Sequence, residues 1–371
     1  MRPIKFSDHK FTDHDLKIVK DIIKSGWLTH GKYTAMFEKE FKKYTDSKFS
    51  LTVSSCTAGL HLACLALEIK KGDEVIVPSM THTATAHAVE YTGAKAILTD
   101  VNFPSGNLNL ESIKRNITAK TKAIIVVHMA GYPCEMKEIQ KIFKDNNIFL
   151  VEDCAHALGS RYNDKHLGNF GICGVFSFYP TKQITTGEGG MIILNKKSFY
   201  KKLKILKAFG INKDIKDRKK QGDYDVKSLG LNYRMTDFQA ALGYQQIKRY
   251  KPALIKRKIL AKRYIKNLSN IRDIDFTNFT NENSYFVFQI FVKKSKRDIL
   301  LKILKDKKIG VSVHYMRSLH DMTYYKKKYN FKKNNYINAL NYAQRNISLP
   351  VHPNLKVSEI DKICETIKKN I

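Results

Sequence analysis

The sequence predicts an α/β fold: a mostly parallel seven-stranded sheet covered by helices, followed by a smaller α+β C-terminal domain. Between about residues 48 and 195, short apolar runs alternate with amphipathic stretches of helical length. Runs that are apolar throughout are typical of strands buried on both faces, as in parallel sheets. With 371 residues, 43% of them hydrophobic, the chain is long enough for one large and one small domain. We expect a large domain over residues 1–245 and a connecting helix with a small domain over residues 246–371.

The first half of the chain supplies the sheet. Two helical patterns open it, around Asp13 to Lys24 and around Tyr33 to Tyr44, and the glycine-bounded loop between them holds the only tryptophan, Trp27. Seven apolar runs predict the strands: Phe49–Val53, Glu74–Val77, Ala94–Leu98, Ala123–Val127, Ile148–Val151, Gly174–Phe178 and Met191–Leu194. Ligands of such sheets bind beyond the carboxyl ends of the strands, so the residues that follow these runs are candidates for function.

The second half of the chain is predicted to form the helix that connects the two domains, and the small domain itself. A lysine-rich helical stretch leads to a loop through Asp214 to Asp225, and a long helix from about Asp237 to Leu268 should join the two domains. The small domain has a predicted strand over Tyr285–Val292, a helix over Lys296–Lys307 and a second strand that ends at His314-Tyr315. A closing helix is expected after Leu349-Pro350.

The charge of the chain suggests nucleic acid as a partner, but its distribution argues against one. The formal net charge is +32, yet only 12 of the 66 basic residues are arginine, and the lysines are spread over helix faces and short runs such as Lys326-Lys327-Lys328. Base recognition favours arginine forks on a reading helix or an aromatic sheet, and neither pattern is present in the sequence. We therefore expect no nucleic-acid partner, although the charge can attract anionic substrates.

The sequence pattern also argues against membrane, exported, disulfide-bonded and metal-binding proteins. No run of apolar residues approaches the 18 that a membrane span needs, and no apolar signal core follows the N-terminus. The six cysteines show no C-x-x-C pair, and no histidines have a metal-ligand spacing. We predict a cytoplasmic protein with free thiols, no metal and no membrane contact.

Lys182 is the first candidate for chemistry. It lies between two predicted strands, in a stretch rich in Phe and Tyr that ends in the turn Gly187-Glu188-Gly189-Gly190. Partial burial disfavours the charged form of a lysine and leaves a nucleophilic amine near neutral pH, as a Schiff-base lysine requires. The alternative is an ordinary surface lysine in a lysine-rich chain.

Two further strand ends carry candidate groups. Ser54–Gly59 follows the first strand and opens a helix, so its free backbone N–H groups can cradle a phosphate, although a plain helix cap has the same pattern. Asp153 ends a buried strand and needs a partner such as a protonated heteroaromatic nitrogen; here too a cap on a following helix is the alternative.

The order of these elements, with an Asn-Tyr-Arg sequence downstream, is that of a fold type I pyridoxal-phosphate enzyme. Along nearly its whole length the sequence resembles the DegT/DnrJ-type nucleotide-sugar aminotransferases. The matching segments are Phe37-Glu38, Gly72–Ser79, Thr121–Ile124, Val127-His128, Glu152–Gly159, Ser177-Phe178, Lys182, Thr185–Gly190, Asn232–Met235, His314-Tyr315 and Leu349-Pro350.

The resemblance implies a catalytic role for two residues. Lys182 would bind pyridoxal 5'-phosphate covalently and then move the proton between substrate carbon and cofactor. Asp153 would face the pyridine nitrogen and keep it protonated. His156 would approach the ring of the cofactor near its phenolic oxygen.

The resemblance also implies binding residues. Cys56, Thr57 and Ser177 would hold the phosphate, and Asn232 would reach it from the second subunit of a homodimer. His82 would stack on the ring, where relatives usually carry Phe, Trp or Tyr; at the position of Cys56 they usually carry Gly or Ala. The substrate would lie near His314 and Tyr315. Trp27 is a further candidate for the substrate pocket because of its place in the glycine-bounded loop, and packing in the interior is the alternative for it.

The expected reaction is transfer of an amino group from L-glutamate to a nucleotide-linked 4-keto-6-deoxy hexose, which gives an amino sugar for a surface polysaccharide, glycan or antibiotic. A 3-keto sugar is the alternative acceptor, because Tyr179-Pro180 resembles the 3-aminotransferases. A sugar dehydratase is a second alternative, but that branch of the family carries histidine in place of Lys182. A non-catalytic, cofactor-binding regulator that uses its charge on DNA is the third, and it would need a separate reading domain.

Overall fold

The computed structural model of the protein describes residues 3–213, 220, 222–329, 331 and 333–371. Its strands, in chain order, are β1 (Phe49–Val53), β2 (Glu74–Pro78), β3 (Lys95–Thr99), β4 (Thr121–Val127), β5 (Phe149–Asp153), β6 (Arg161–Tyr162), β7 (Lys165–His166), β8 (Cys173–Ser177), β9 (Gly190–Leu194), β10 (Phe288–Phe291) and β11 (Asn346–Leu349). The large sheet has seven strands in the order β1-β9-β8-β5-β4-β2-β3. Only β9 runs antiparallel to its neighbours, β1 and β8, so the prediction of a mostly parallel sheet is confirmed.

Helices cover both faces of this sheet and build the C-terminal region. They are α1 (Asp13–Ser25), α2 (Lys32–Thr45), α3 (Cys56–Ala66), α4 (Thr83–Glu90), α5 (Leu110–Asn116), α6 (Met136–Asp145), α7 (Lys197–Leu206), α8 (Asp237–Lys248), α9 (Tyr250–Leu268), α10 (Lys294–Asp306), α11 (Thr323–Lys328), α12 (Ile337–Arg345) and α13 (Val357–Lys368). The two N-terminal helices and the seven strands lie within about three residues of their predicted bounds, and the predicted closing helix follows Leu349-Pro350 and begins at Val357. The loop predicted through Asp214 to Asp225 lies partly outside the described residues.

Local sequence explains where the first helix begins and ends. Thr12 caps α1, because its hydroxyl accepts the Asp15 N–H while the Asp15 carboxylate accepts the Thr12 N–H at 2.7 Å. Gly26 ends the helix in a left-handed conformation with φ of 69°. Arg249 donates two N–H groups to the Asp15 carboxylate, at 2.9 and 2.5 Å, and so links α1 to the junction of α8 and α9.

Helix α3 lies unusually close to the centre of the sheet. A Cβ atom at Gly59 would be 2.5 Å from Cγ1 of Val175 on β8, so only glycine allows this approach. Leu60 of the same helix is fully buried against the sheet. The close packing brings the N-terminus of α3 to the carboxyl ends of β5 and β8.

The C-terminal region has a core of its own around the antiparallel pair β10 and β11. Leu260, Leu300 and Ile363 from three of its helices are fully buried there. Ile4, near the start of the chain, pairs with Ile309 and joins this core. The division into two domains at residues 245 and 246 stays a prediction.

Two predictions about the C-terminal half are wrong. The single helix from Asp237 to Leu268 is two helices, because Pro252 has no N–H and its ring would clash with the preceding turn; α8 ends at Lys248 and Pro252 lies in the first turn of α9.

The predicted strand before His314-Tyr315 is also absent from the described structure. Its backbone is bound by side chains instead: the His314 N–H donates to Asn346 Oδ1 at 3.0 Å and its carbonyl accepts from Gln289 Nε2 at 3.2 Å. Two isolated bridges, from Ile309 to Ile4 and from Ser312 to Ser348, are what the described residues before His314 show in place of the strand.

Candidate active site

Lys182 lies on the loop between β8 and β9, and its side chain is partly buried. The loop is tight: the Lys182 N–H donates to the Tyr179 carbonyl at 2.9 Å, and the Thr186 N–H donates to the Phe178 carbonyl at 3.0 Å. The Nζ atom lies 4.6 Å from the centre of the Phe286 ring. The alternative of an ordinary surface lysine is therefore wrong.

This environment changes the protonation of the amine. Burial lowers the pKa of Lys182 from 10.5 to about 8, although the nearby Cys56 and Asp153 side chains partly oppose the shift. About one amine in ten is then neutral at pH 7, compared with fewer than about one in a thousand for a free lysine. A buried, partly neutral amine is a nucleophile and can accept or return a proton.

Asp153 ends β5 and is only 4% exposed. Its Oδ2 accepts a hydrogen bond from the Thr85 hydroxyl at 2.8 Å, and its Oδ1 accepts one from the Ala155 N–H at 3.0 Å. No helix begins after β5; the chain turns and next forms β6, so the alternative of a helix cap is wrong. Among the described residues, no cation lies within ion-pair distance of this carboxylate, which suits it to a cationic ligand.

The N-terminus of α3 lies next to this carboxylate. Ser55 caps the helix, because its hydroxyl accepts the Ala58 N–H at 3.0 Å. The amides of Cys56 and Thr57, in the first turn, have no carbonyl partner within the helix and remain available to an anion. The Cys56 thiol points inward, with Sγ 3.8 Å from Asp153 Oδ1, and burial raises its pKa.

Gly190 makes this arrangement possible. A Cβ atom at that position would lie 2.7 Å from the Ser55 carbonyl carbon and 2.8 Å from the Cys56 nitrogen. Ser177 ends the neighbouring strand β8 and its hydroxyl accepts the Tyr179 N–H at 3.4 Å. The predicted phosphate residues therefore lie around the carboxyl ends of β1 and β8.

His156 belongs to the same site and is 3% exposed. Its ring stacks on Phe286, with ring centres 4.4 Å apart and planes 12° from parallel. Because Nδ1 accepts the Ala130 N–H at 3.3 Å, Nε2 carries the proton, and it lies 3.4 Å from the Tyr315 hydroxyl. Burial, aided by the nearby Lys182, holds the pKa of His156 well below its ordinary value, so the ring is neutral.

His314 and Tyr315 line the other side. The ring of His314 is 6.1 Å from that of His156, and its Nδ1 is hydrogen-bonded to the Ser348 hydroxyl at 2.9 Å. Burial lowers the pKa of His314 to about 3 and raises the pKa of Tyr315, so neither group carries charge at neutral pH. They offer neutral hydrogen-bonding groups to a polar ligand.

His82 caps α4 at the mouth of this site. Its Nδ1 accepts the Ala84 N–H at 3.2 Å, and its ring centre is 5.6 Å from that of Tyr315. Burial and the nearby Lys182 lower the pKa of His82. The imidazole is thus a neutral aromatic ring at neutral pH.

Two predicted site residues lie elsewhere in the single chain. Trp27 is 58% exposed and lines a separate cavity, about 400 Å³ in volume, together with Arg234. Asn232 is exposed, and its Oδ1 accepts from Arg234 Nε at 3.0 Å. The adjoining Tyr233 carbonyl accepts the Ser54 N–H at 2.9 Å, so this segment borders the phosphate cradle without entering it.

The sequence reasoning missed Phe286, Thr85 and the role of Glu152. Glu152 is fully buried, and its carboxylate accepts the N–H groups of Gly168 and Phe170, both at 2.6 Å. It also pairs with His128 Nε2 at 3.2 Å. A charged residue inside an apolar strand is the signal that could have found it, because such a charge needs built partners.

Glu152 also belongs to a buried group, with His128 and Cys154, whose ligand atoms lie within 4.8 Å of one another. These atoms are already engaged: Nδ1 of His128 accepts the Cys134 N–H at 3.2 Å, and its Nε2 meets Glu152. Four N–H groups converge on the Glu152 carboxylate, which holds the loop after β7 against the sheet. The group is structural.

Pyridoxal 5'-phosphate fits the residues that are present. The carboxylate of Asp153 has no cationic partner within the described parts of the chain and a pyridinium would supply one, and Gly190 leaves the first turn of α3 open to a phosphate. Lys182 places an amine of lowered pKa near the same carboxylate. This combination on a mostly parallel sheet defines the fold type I pyridoxal-phosphate enzymes.

Comparison with known proteins gives the family. Residues 10–368 match the DegT/DnrJ/EryC1/StrS aminotransferase family. The chain belongs to this family and is a pyridoxal-phosphate-dependent sugar aminotransferase. None of the helices in the described parts of the chain has the length and apolar run of a membrane span.

Three relatives illustrate the likeness. The chain is 34% identical to the GDP-perosamine synthase of Escherichia coli O157:H7 over 371 residues, which cover 100% of this chain and 99% of that protein. It is 33% identical to the spore coat polysaccharide biosynthesis protein SpsC of Bacillus subtilis, over 95% of this chain and 93% of that protein. The Streptococcus pneumoniae protein Spr1654, solved in its PLP form, has a TM-score of 0.92 and 30% identity over 99% of this chain and 98% of its own; a PMP form is also solved.

Proposed function

We propose that the protein transfers an amino group from L-glutamate to the keto group of a nucleotide-linked 4-keto-6-deoxy hexose. The resemblance of the sequence to the C4 aminotransferases over Thr185–Gly190 supports this acceptor, as does the similarity to a GDP-perosamine synthase. The product would be an amino sugar for a surface polysaccharide or glycan, a proposal to which the similarity to a spore coat polysaccharide protein also lends support.

The observation that carries the proposal is the position of Lys182. Its amine, with a pKa of about 8, lies near the buried carboxylate of Asp153, which has no cationic partner among the described residues. Pyridoxal 5'-phosphate, when bound, supplies an aldehyde for the amino group and a ring that delocalises an electron pair. Lys182 Nζ would hold the aldehyde first and later move a proton at the substrate carbon. The Asp153 carboxylate would keep the ring nitrogen protonated.

The neutral groups around Lys182 would orient the ligands. His156 Nε2–H donates toward the Tyr315 hydroxyl, so that hydroxyl can in turn donate to an oxygen of cofactor or sugar. His314 and Tyr315 carry no charge near pH 7, and neutral donors suit the hydroxyls of a hexose. The large positive net charge of +32 favours the approach of the anionic nucleotide.

A homodimer would complete the site. Asn232 is exposed on a segment that borders the cradle, which supports its predicted role at the phosphate of the partner subunit. Trp27 and Arg234 line a cavity beside this segment, and Trp27 is proposed to contact substrate from there.

We place the reaction in the cytoplasm, in keeping with six buried cysteines that are all free.

A 3-keto sugar is the second candidate acceptor, on the strength of Tyr179-Pro180 before the lysine. A dehydratase is disfavoured by Lys182 itself. Transamination and dehydration give different products: transamination consumes glutamate and leaves nitrogen on the sugar, whereas dehydration removes a hydroxyl from it.

The test is to incubate the holoenzyme with L-glutamate and a panel of nucleotide-linked 4-keto and 3-keto hexoses, and to identify products by mass. We expect an amino sugar with one 4-keto-6-deoxy substrate and an equal amount of 2-oxoglutarate. Lys182→Ala should lose both the visible absorption of the bound cofactor and turnover. Deoxygenated sugar without amine transfer, or turnover by the variant, would refute the proposal.

A further inference from the structure

The carboxylate of Asp153 is held by a hydrogen-bond chain that begins on the segment before α4. Its Oδ2 accepts from the Thr85 hydroxyl at 2.8 Å, and the Thr85 oxygen lies 2.9 Å from the Thr81 hydroxyl. All three side chains are buried: Thr85 is fully buried, Thr81 is 1% exposed and Asp153 is 4% exposed. Water does not compete for these contacts.

Chemistry fixes the direction of this chain. An ionised carboxylate only accepts hydrogen bonds, so the Thr85 hydroxyl must donate its single proton to Asp153. The Thr81 hydroxyl must then donate to Thr85, because the proton of Thr85 is already used. The chain therefore runs from Thr81 through Thr85 to the carboxylate, and every link is charge-assisted or feeds a charge-assisted bond.

The two carboxylate oxygens are occupied unequally. Oδ1 is approached by the Ala155 N–H at 3.0 Å and the Cys56 thiol at 3.8 Å. Among the residues that the structure describes, Oδ2 accepts a hydrogen bond from Thr85 alone, which leaves it one acceptor site for a further donor. Donors on both oxygens also prevent rotation of the carboxylate about its last bond.

We propose that Thr85, supported by Thr81, is a positioning residue that orients Asp153 for the cofactor nitrogen. Without the Thr85 hydroxyl, Oδ2 would lose its fixed direction, and the carboxylate could turn toward the Ala155 and Cys56 side. The hydroxyl also satisfies one oxygen of a buried carboxylate, which would otherwise lack a hydrogen-bond donor on that side. This inference rests on the role of Asp153 in the proposed function.

The experiment compares Thr85→Val, which keeps the shape and removes the hydroxyl, with Thr85→Ser, which keeps the hydroxyl. Thr45→Val is the matched control: Thr45 is fully buried and its hydroxyl donates to the Phe41 carbonyl at 2.8 Å, outside the site. Each apoprotein is titrated with pyridoxal 5'-phosphate, and the visible absorption of each holoprotein is titrated with pH. Neither readout needs glutamate or sugar, so a wrong sugar assignment does not affect them.

We expect Thr85→Val to weaken binding of pyridoxal 5'-phosphate about tenfold or more, the effect of one lost bond to a charged group. The midpoint of its absorption titration should also shift relative to the wild type, because the ring nitrogen is held less firmly as a cation. Thr85→Ser should stay within about threefold of the wild type, with an unchanged midpoint. Thr45→Val should match the wild type in both readouts, whatever its thermal stability.

Two results would overturn the inference. One is wild-type binding and an unshifted midpoint in Thr85→Val. The other is an equal loss in Thr85→Ser and Thr85→Val, which would mean that volume and not the hydroxyl matters. If the wild type itself showed no visible band with pyridoxal 5'-phosphate, the proposed function would fail as well, and the two failures are thus distinguishable.

Discussion

Replacing Lys182 by methionine should make the apoprotein more stable at neutral pH, although it removes the reactive group. Methionine has nearly the same length and keeps the contact with the Phe286 ring. What disappears is the charge. Burial lowers the pKa of Lys182 from 10.5 to about 8, so folding at pH 7 confines an ammonium that the unfolded chain leaves in water.

The expected gain in stability follows from the size of the pKa shift of Lys182. A difference of about 2.5 pKa units corresponds to about 3.4 kcal/mol at 1.36 kcal/mol per unit. Attraction between the ammonium and the Phe286 ring, 4.6 Å away, offsets part of this. That attraction is worth about 0.5–2 kcal/mol, so the variant should gain about 1.5–3 kcal/mol.

The sign of the pH dependence is fixed by linkage. Below about pH 8 the amine is protonated in both states, and the full penalty applies. Between about pH 8 and 10.5 the unfolded state binds more protons than the folded one, so the stability of the wild type rises with pH. The advantage of the variant should therefore fall below about 1 kcal/mol at pH 10.

The assay is urea unfolding of both apoproteins at pH 7 and pH 10. Lys165→Met is the matched control, because Lys165 is exposed and its Nζ also lies over an aromatic ring, 4.8 Å from the centre of Phe170. It should change stability by less than about 1 kcal/mol at either pH. If Lys182→Met is no more stable than the wild type at pH 7, or gains the same amount at both pH values, the amine is not the buried, shifted group described above.

Three further substitutions test other parts of the site. Glu152→Gln should lower the free energy of unfolding by about 3–5 kcal/mol in a urea titration, because the new amide N–H₂ faces backbone donors; a loss below about 1 kcal/mol would contradict this. Gly190→Ala should weaken binding of pyridoxal 5'-phosphate at least about tenfold, since its Cβ meets the Ser55 and Cys56 backbone that forms the cradle; unchanged affinity in a spectral titration would count against the cradle. Asp153→Asn should reduce turnover by about a hundredfold or more with little change in thermal stability, and full activity would exclude its role.

The large sheet was predictable from sequence because its signal is local. Each strand is a short apolar run, such as Phe49–Val53, and burial on both faces makes that run apolar throughout. The break between α8 and α9 was also local, since Pro252 marks it, but periodicity continued across it and concealed it. The prediction of a strand before His314 was wrong for a nonlocal reason, because side chains that are distant in sequence bind the His314 backbone.

The positions of Lys182 and Asp153 in the candidate site were predictable for the same local reason, but the residues that contact them were not. Lys182 and Asp153 lie at strand ends, which a sequence marks. Phe286, by contrast, lies 104 positions beyond Lys182 and is one of 20 phenylalanines, so nothing in the chain singles it out before folding brings it under the amine. Thr85 likewise meets Asp153 only because α4 packs beside β5 in space.

Lys182, one of 54 lysines, is proposed to bind the aldehyde of the cofactor. Reduction of the holoenzyme with borohydride, followed by peptide mass spectrometry, tests this directly. The phosphopyridoxyl group should be found on the peptide that contains Lys182 and should be absent from the Lys182→Ala variant. A label on another lysine, or a label distributed over many, would contradict the assignment.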